Sequence, residues 1–317
     1  MPRGKALINK GTLALLRETT KVSSAYLGKK VRKEGSVVLS WEDQTSDVLP
    51  TINQAKLLAK TYSVPFASLY MNPQDINLEK LPNLVNRRTI QDPATQDDSA
   101  LNIALIDMLN VRQLFIEVNE ELEESIQAFN ISITGTEVKA WAEQIRAQFD
   151  IDLTSQYQCP STRQFYLYLK RQIEHQGVFI QCFDNVPIET ARGISIYYDL
   201  LPVIGINADD RPPAKSFSII HELVHIIKRT SSICNDMYTS LVGTDEEVFC
   251  NAVAGEVLVP ESALKIKLEP RRGTAMTVEI IQKIADQFCV SKEVIARRLL
   301  DIKPAYYEPI KILMERN

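Results

Sequence analysis

The sequence predicts an α+β fold, mainly helical with one small sheet. Two observations carry this. Three strand-like runs, VFIQCF (178–183), GISIYY (193–198) and PVIGIN (202–207), follow one another in the middle of the chain. On both sides of them apolar residues recur at three- and four-residue spacing, the period of a helix. A short sheet within an otherwise helical chain is an α+β arrangement. At 317 residues the chain also exceeds one ordinary core, so two or three domains are expected.

Taken in order, residues 12–71 read as short helices. TLALLRETT, SSAYLGKKV and GSVVLSWE come first. After DQTSDVLP, TINQAKLLAKTY sets Ile52, Ala55, Leu58 and Ala59 at helical spacing, and SVPFASLYM closes the unit. Residues 1–72 are assigned to this module, and the polar, proline-bearing stretch 73–98 to a linker. Residues 99–268 form the second domain. In it Leu101, Leu105, Met108, Arg112 and Phe115 mark a long helix ending in a glutamate run. Thr136 is expected to cap a helix carrying Val138, Trp141, Ile145 and Phe149. Ser161 or Thr162 begins another, which stops at Gly177; His175 lies in its last turn, where a cation suits the helix dipole. Helices resume after Pro212-Pro213, and residues 269–317 form a C-terminal helical extension.

Composition narrows the class. The chain is 45% hydrophobic and 24% charged, the balance of a soluble globular protein. No apolar run approaches the roughly 18 residues of a membrane span, so no membrane partner is expected. The N-terminus has basic residues but no apolar segment ending in a cleavage site. The five cysteines (Cys159, Cys182, Cys234, Cys250, Cys289) never form CxxC. They read as buried thiols of a reducing compartment, which places the protein in the cytoplasm. The net charge of −4 does not decide for or against nucleic acid, but residues 1–34 hold nine Lys/Arg against two Glu, a local charge of +7.

The chemistry concentrates in SFSIIHELVHIIKR (216–229), which holds two of the chain's three histidines. Phe217, Ile220, Val224 and Ile227 form an apolar stripe that must be buried, and His221 and His225 share a flank with Ser218. Histidines four apart on a helix project from neighbouring turns, and both can bind one ion through ring nitrogens about 2.0–2.1 Å away. Glu222, beside them, can reach a water on the ion instead of the ion itself. A third ligand is required. TDEEVFCNAVAGEVLVP (244–260) reads as a helix with Thr244 or Asp245 as cap and Pro260 as stop, and it offers Glu246, Glu247 and Glu256. Glu247 shares its stripe with Asn251, an amide to orient it, and with Ala254 and Gly255, which permit close helix approach. Glu246 lines up with Cys250, Val253 and Val257, an apolar stripe, so Glu247 is the better ligand. Two His, one Glu and an open position suit one Zn2+ per chain, with Glu222 as general base for the water that attacks a peptide carbonyl. Tyr197, Tyr198, Tyr238 and Arg192 are the candidate donors to the oxyanion.

These residues resemble the ImmA/IrrE-type metallopeptidases, whose pattern is HELGH followed by E-x-x-A-N and a small-residue run ending in leucines and proline. HELVH and EVFCNAVAGEVLVP carry the resemblance, GISIYYDLLPVIGIN is similar to the family's strands, and IADQFCVSKEVIARRLL to its C-terminal helices. It covers roughly residues 100–300. It implies a zincin-like peptidase domain with His221, His225 and Glu247 as zinc ligands and Glu222 catalytic. Val224 stands where the family has glycine, and Cys250 where alanine is usual. The N-terminal part is similar to an XRE-type helix-turn-helix: KVSSAYLGKKVRKEGSVVLSWE matches its register without gaps, with Arg32 where a tight-turn glycine is usual. The recognition segment Ser36–Ser40 centres on Val37, Val38 and Leu39, with no Arg, Asn or Gln to read base edges, which argues for protein docking over sequence-specific DNA binding. Peptidases of this kind are understood to cut XRE-type repressors, so the resemblance implies that substrate class. The alternative is a transcriptional regulator, or an antitoxin-like protein with a toxin partner, that keeps the peptidase fold. An intact Glu222 favours the enzyme, since a scaffold has no need of it.

Overall fold

The computed structural model of the chain describes residues 4–76, 81–82, 84–86, 97–234, 245–271 and 276–302. Its contacts divide the chain into two units. The first takes the described residues of 1–83, 90–125 and 183–186, and the second those of 84–89, 126–182 and 187–317.

The first unit holds α1 (Lys10–Thr20), α2 (Ser24–Val31), α3 (Gly35–Glu42), α4 (Ile52–Thr61), two short 3-10 turns and α5 (Ser99–Glu121). Side chains set the helix starts. Asn9 accepts from the Thr12 N–H, Ser23 from the Tyr26 N–H, and Thr51 forms a reciprocal cap with Gln54. Arg32, just past the end of α2, adopts φ 56°, the left-handed backbone for which glycine is the usual residue. Close approach of α2 and α3 depends on Gly28, where a Cβ would stand 2.6 Å from the Lys33 carbonyl oxygen. Leu13, Leu16, Leu27, Trp41, Leu58 and Tyr62 fill the core. Val38, in the middle of the recognition segment, is part of that core, so of its apolar centre Leu39 is the exposed member.

α5 groups with this first unit and not, as the sequence division had it, with the second. Its Asn102 donates to the Lys21 carbonyl and its Asn110 to the Ser63 carbonyl. The sequence reading found no run of membrane length, yet α5, at 23 residues, is long and apolar enough to cross a membrane by length and composition. A core helix passes the same test, and Leu101, Leu105 and Met108 on α5 are buried.

The second unit contains β1 (Val85–Asn86), α6 (Val138–Gln148), α7 (Leu153–Gln158), α8 (Thr162–Glu174), β2 (Phe179–Phe183), β3 (Gly193–Ile196), β4 (Val203–Asn207), α9 (Pro212–Ile227), β5 (Ser232–Cys234), α10 (Asp245–Leu258), α11 (Glu261–Leu268), α12 (Val278–Phe288) and α13 (Lys292–Ile302). The strands form one sheet in the order β1-β5-β3-β4-β2. β3 runs antiparallel to β4 and β5, and β1 parallel to β5. The fold is thus α+β. Four details depart from the sequence expectation. The assigned linker contributes strand β1. β5 was not anticipated. Glu137 rather than Thr136 precedes α6, without a capping side-chain bond. The helices of the C-terminal extension share one core with α6, α8, α9 and α10, through Ile284, Phe288, Ile295 and Leu299.

α9 packs against β3 and β4 on one side and against α8 and α10 on others. Every residue from Ser216 to Ile227 is therefore buried, not one stripe alone. A helix enclosed by a sheet and two helices has no solvent face, so its polar side chains must find partners inside. The five cysteines are all free; Cys234, Cys250 and Cys289 are buried, but Cys182 is exposed and Cys159 half-buried, so burial does not extend to every thiol as expected.

Candidate metal centre

On the enclosed α9, His221, Glu222 and His225 are 3%, 1% and 0% exposed. The i, i+4 spacing sets the two imidazoles side by side, with Nε2 atoms 3.2 Å apart. α10 brings in Glu247, whose Oε2 lies 3.2 Å from His221 Nε2 and whose Oε1 lies 3.2 Å from His225 Nε2. The other two glutamates of α10 are engaged elsewhere. Glu246 pairs with Lys228 at 3.2 Å, and Glu256 is buried against Arg298.

His225 is also held on its far nitrogen. The Thr230 hydroxyl lies 3.2 Å from His225 Nδ1 and 3.2 Å from the His225 carbonyl oxygen. This is the orientation in which a ligating histidine is held by a partner on its far nitrogen.

Electrostatics bind α9 to α10. Burial lowers the His221 pKa, but the hydrogen bond and charge of Glu247, with the charge of Glu222, outweigh it and leave the pKa raised. Burial raises the Glu247 pKa, but both imidazoles outweigh it and hold the carboxylate ionised well below its usual range. Asn251, one turn after Glu247, also contributes to raising the His221 pKa.

Glu222 is positioned from the sheet. Ser232 on β5 donates to its Oε2 at 3.4 Å, and Ser195 on β3 lies 2.9 Å from Ser232 Oγ. Room for the carboxylate comes from Gly193, where a Cβ would stand 2.3 Å from Glu222 Oε1. Glu222 Oε1 is buried without a hydrogen-bond partner among the described residues. Such an atom is costly unless a ligand completes it.

The donor set fits a metal ion. Ligand atoms about 2.0–2.1 Å from one tetrahedral ion lie about 3.3 Å from one another. The His–His separation is 3.2 Å, and each imidazole lies 3.2 Å from a different oxygen of Glu247. A fourth donor stands in the same cluster. Cys234 Sγ belongs with His221, His225 and Glu247 in a group of ligand atoms all within 4.8 Å of one another. Burial, with the charges of Glu222 and Glu247, pushes its thiol pKa well up. Sequence reasoning missed Cys234, since no CxxC or other spacing marks it. Ser232 and Gly193 were missed likewise.

The candidate oxyanion donors are spread out. Tyr197 donates to Asp199 at 2.6 Å, and Arg192 donates to Asp210 at 2.8 Å while its backbone N–H bonds the Cys234 carbonyl. Tyr198 is half-buried just past β3, and Tyr238 lies outside the described residues. His175 is exposed at the end of α8, away from this cluster in role, where it caps the helix.

Residues 175–300 match the family model Peptidase_M78, described as the IrrE N-terminal-like domain. No curated protein matches the chain. The family match and the His221–His225–Cys234–Glu247 donor cluster together support a metallopeptidase-type role.

Proposed function

We propose that this chain is a zinc-dependent endopeptidase that cleaves a regulatory protein, with an XRE-type repressor as its substrate class. The observation that carries the reading is the convergence of both His Nε2 atoms and both Glu247 oxygens at 3.2 Å, with the buried Glu222 beside them. His221, His225 and Glu247 would hold one Zn2+. When bound, the ion supplies a Lewis acid that polarises a peptide carbonyl and acidifies water.

The chain's own residues do the rest. Glu222 is the general base, taking a proton from water and returning it to the leaving amine. Ser195 and Ser232 act as a donor relay that fixes one carboxylate oxygen, Oε2, and leaves Oε1 for the proton. Thr230, beside His225 Nδ1, would orient that ring with its Nε2 toward the ion. Asn251 steadies His221 and Glu247 from α10. The first unit serves as an XRE-like docking module of cytoplasmic origin. With Val38 in the core, its α3 offers little with which to tell bases apart, so a like-folded protein partner suits it better than a DNA sequence.

The test is Glu222→Gln. This variant retains shape and volume but removes the base, so zinc content by elemental analysis should stay at the parental level. Cleavage of an XRE-type repressor should fall by about 10²–10⁴-fold. Parental cleavage rates in the variant would remove Glu222 from the role. A defined DNA motif recovered from random sequences at physiological salt would favour the regulator reading instead.

A further inference from the structure

Within the buried donor cluster, Cys234 is the member that two histidines and a glutamate leave over. Its place is set by the sheet. β5 alternates its faces, so Ser232 and Cys234 point to one side and Ile233 to the other. Ser232 reaches Glu222 at 3.4 Å, and two residues on Cys234 Sγ stands 3.8 Å from Glu247 Oε2 and 3.9 Å from His225 Nε2. The backbone holds it there. Cys234 is paired with Gly193 across β3 and β5, and its carbonyl accepts from the Arg192 N–H at 2.9 Å.

These separations have a meaning in coordination chemistry. With a metal–sulfur bond of about 2.3 Å and metal–nitrogen bonds of about 2.0–2.1 Å, a tetrahedral centre sets sulfur about 3.5–3.6 Å from its fellow ligands. From His225 and Glu247 the sulfur is within a few tenths of an ångström of that, and His221 lies within 4.8 Å of it. Cys250, the neighbouring thiol, is on the wrong side of the ring: its Sγ lies 3.8 Å from His225 Nδ1, the nitrogen that faces away from the cluster.

Resting on the metal reading above, we infer that Cys234 is a fourth ligand of the bound ion, closing the coordination position that a reacting water needs and holding the enzyme in a self-inhibited state. Opening is a ligand exchange. The thiol gives its proton to solvent as sulfur binds and takes one back as it leaves; no electrons are transferred. Because Ser232 and Cys234 share one strand face, a shift of β5 that withdraws the sulfur also changes the hold on Glu222, so exposure of the ion and release of the base are coupled.

Zinc K-edge X-ray absorption on the full-length, zinc-loaded chain tests this without any variant. One sulfur scatterer at about 2.3 Å beside nitrogen and oxygen ligands is the expected result, and a shell of nitrogen and oxygen alone overturns it. Cobalt-loaded protein gives the residue. The thiolate-to-metal charge-transfer absorption should vanish in Cys234→Ser and Cys234→Ala and persist in Cys250→Ser. Loss in Cys250→Ser alone overturns the assignment to Cys234. Stoichiometric metal with no sulfur signal would leave the three-ligand centre standing and sink only the present inference, whereas protein that takes up no metal would sink both.

Discussion

At the starts of α1, α2 and α4, in the first unit, a side chain meets the free backbone donors directly: Asn9, Ser23 and the Thr51–Gln54 pair. In the second unit α9 and α10 carry His221, Glu222, His225 and Glu247 into the interior, where Glu222 Oε1 has no hydrogen-bond partner among the described residues. Among the described residues of the first unit, the hydroxyl of Tyr62 is the comparable atom. Both units bury leucine, isoleucine and aromatic side chains in the ordinary way, so the difference is not one of core quality. It lies in how polar groups are completed. The caps complete the first unit's helix starts from the chain itself, whereas the α9–α10 cluster, although its His–Glu pairs and Ser232 are the chain's own, leaves a buried carboxylate oxygen of Glu222 without a partner among the described residues.

Metal removal should therefore separate the two units more than any other change. Stripping zinc with a chelator, or His225→Ala, should abolish stoichiometric metal and reduce hydrogen-exchange protection in α9 and α10, while α1–α4 keep theirs. The loss is about 4 kcal/mol for an ion present at a thousand times its dissociation constant. Equal loss in both units would break the comparison. Glu247→Ala should weaken metal binding more than Glu246→Ala, since Glu246 is spent on Lys228.

The converse experiment is Leu58→Ala. Leu58 is fully buried in the first unit, and its truncation should destabilise that unit by about 2–5 kcal/mol, read by chemical denaturation, with metal stoichiometry unchanged. Gly193→Ala sharpens the comparison within the site. The added methyl collides with the Glu222 carboxylate and not with the ligands, so zinc should remain while cleavage falls by about 10²-fold, the scale of an ångström misplacement.

The smallest effect is with pH, in metal-free protein. The raised His221 pKa contributes stability that is complete below the unfolded value of about 6.5 and is lost as pH rises through the folded value. The lowered Glu247 pKa contributes stability above its unfolded value of about 4.3, lost only in stronger acid. Protection of α9 and α10 should thus be best between those limits and decline above pH 6.5, with the first unit flat over that range. Zinc should abolish the decline, because the ion prefers the neutral rings. A metal-free site indifferent to pH from 6 to 8 would contradict the ion pair.

These contrasts also explain what the sequence could and could not reveal. His221, Glu222 and His225 are visible because a helix converts fixed spacing into a shared face, and Glu247 because its stripe on α10 is polar where that of Glu246 is apolar. The three strands at 178–207 are visible for the same local reason. Cys234, Ser232 and Gly193 meet the site only through pairing of β3 with β5, and β5 is three residues long with β1 from residue 85 at its other edge. Such pairing leaves no local periodicity to read. α5 was placed with the wrong neighbours for a similar cause, since Asn102 and Asn110 bond carbonyls far back in the chain.

The ion pair between Glu256 and Arg298 spans 42 residues, and the Arg298 Nε also donates to the Val259 carbonyl at the end of α10, beside Gly255, whose missing side chain leaves room for it. On a ribosome this imposes an order of events. The N-terminal unit is complete long before, but α10 emerges with a buried carboxylate whose partner is still unmade. At about 5–20 residues per second, Arg298 follows Glu256 by about 2–8 s. During that interval the nascent chain has its histidines and Glu247 but not the clamp that holds α10. The finished packing of α10 therefore waits until α13 has been translated.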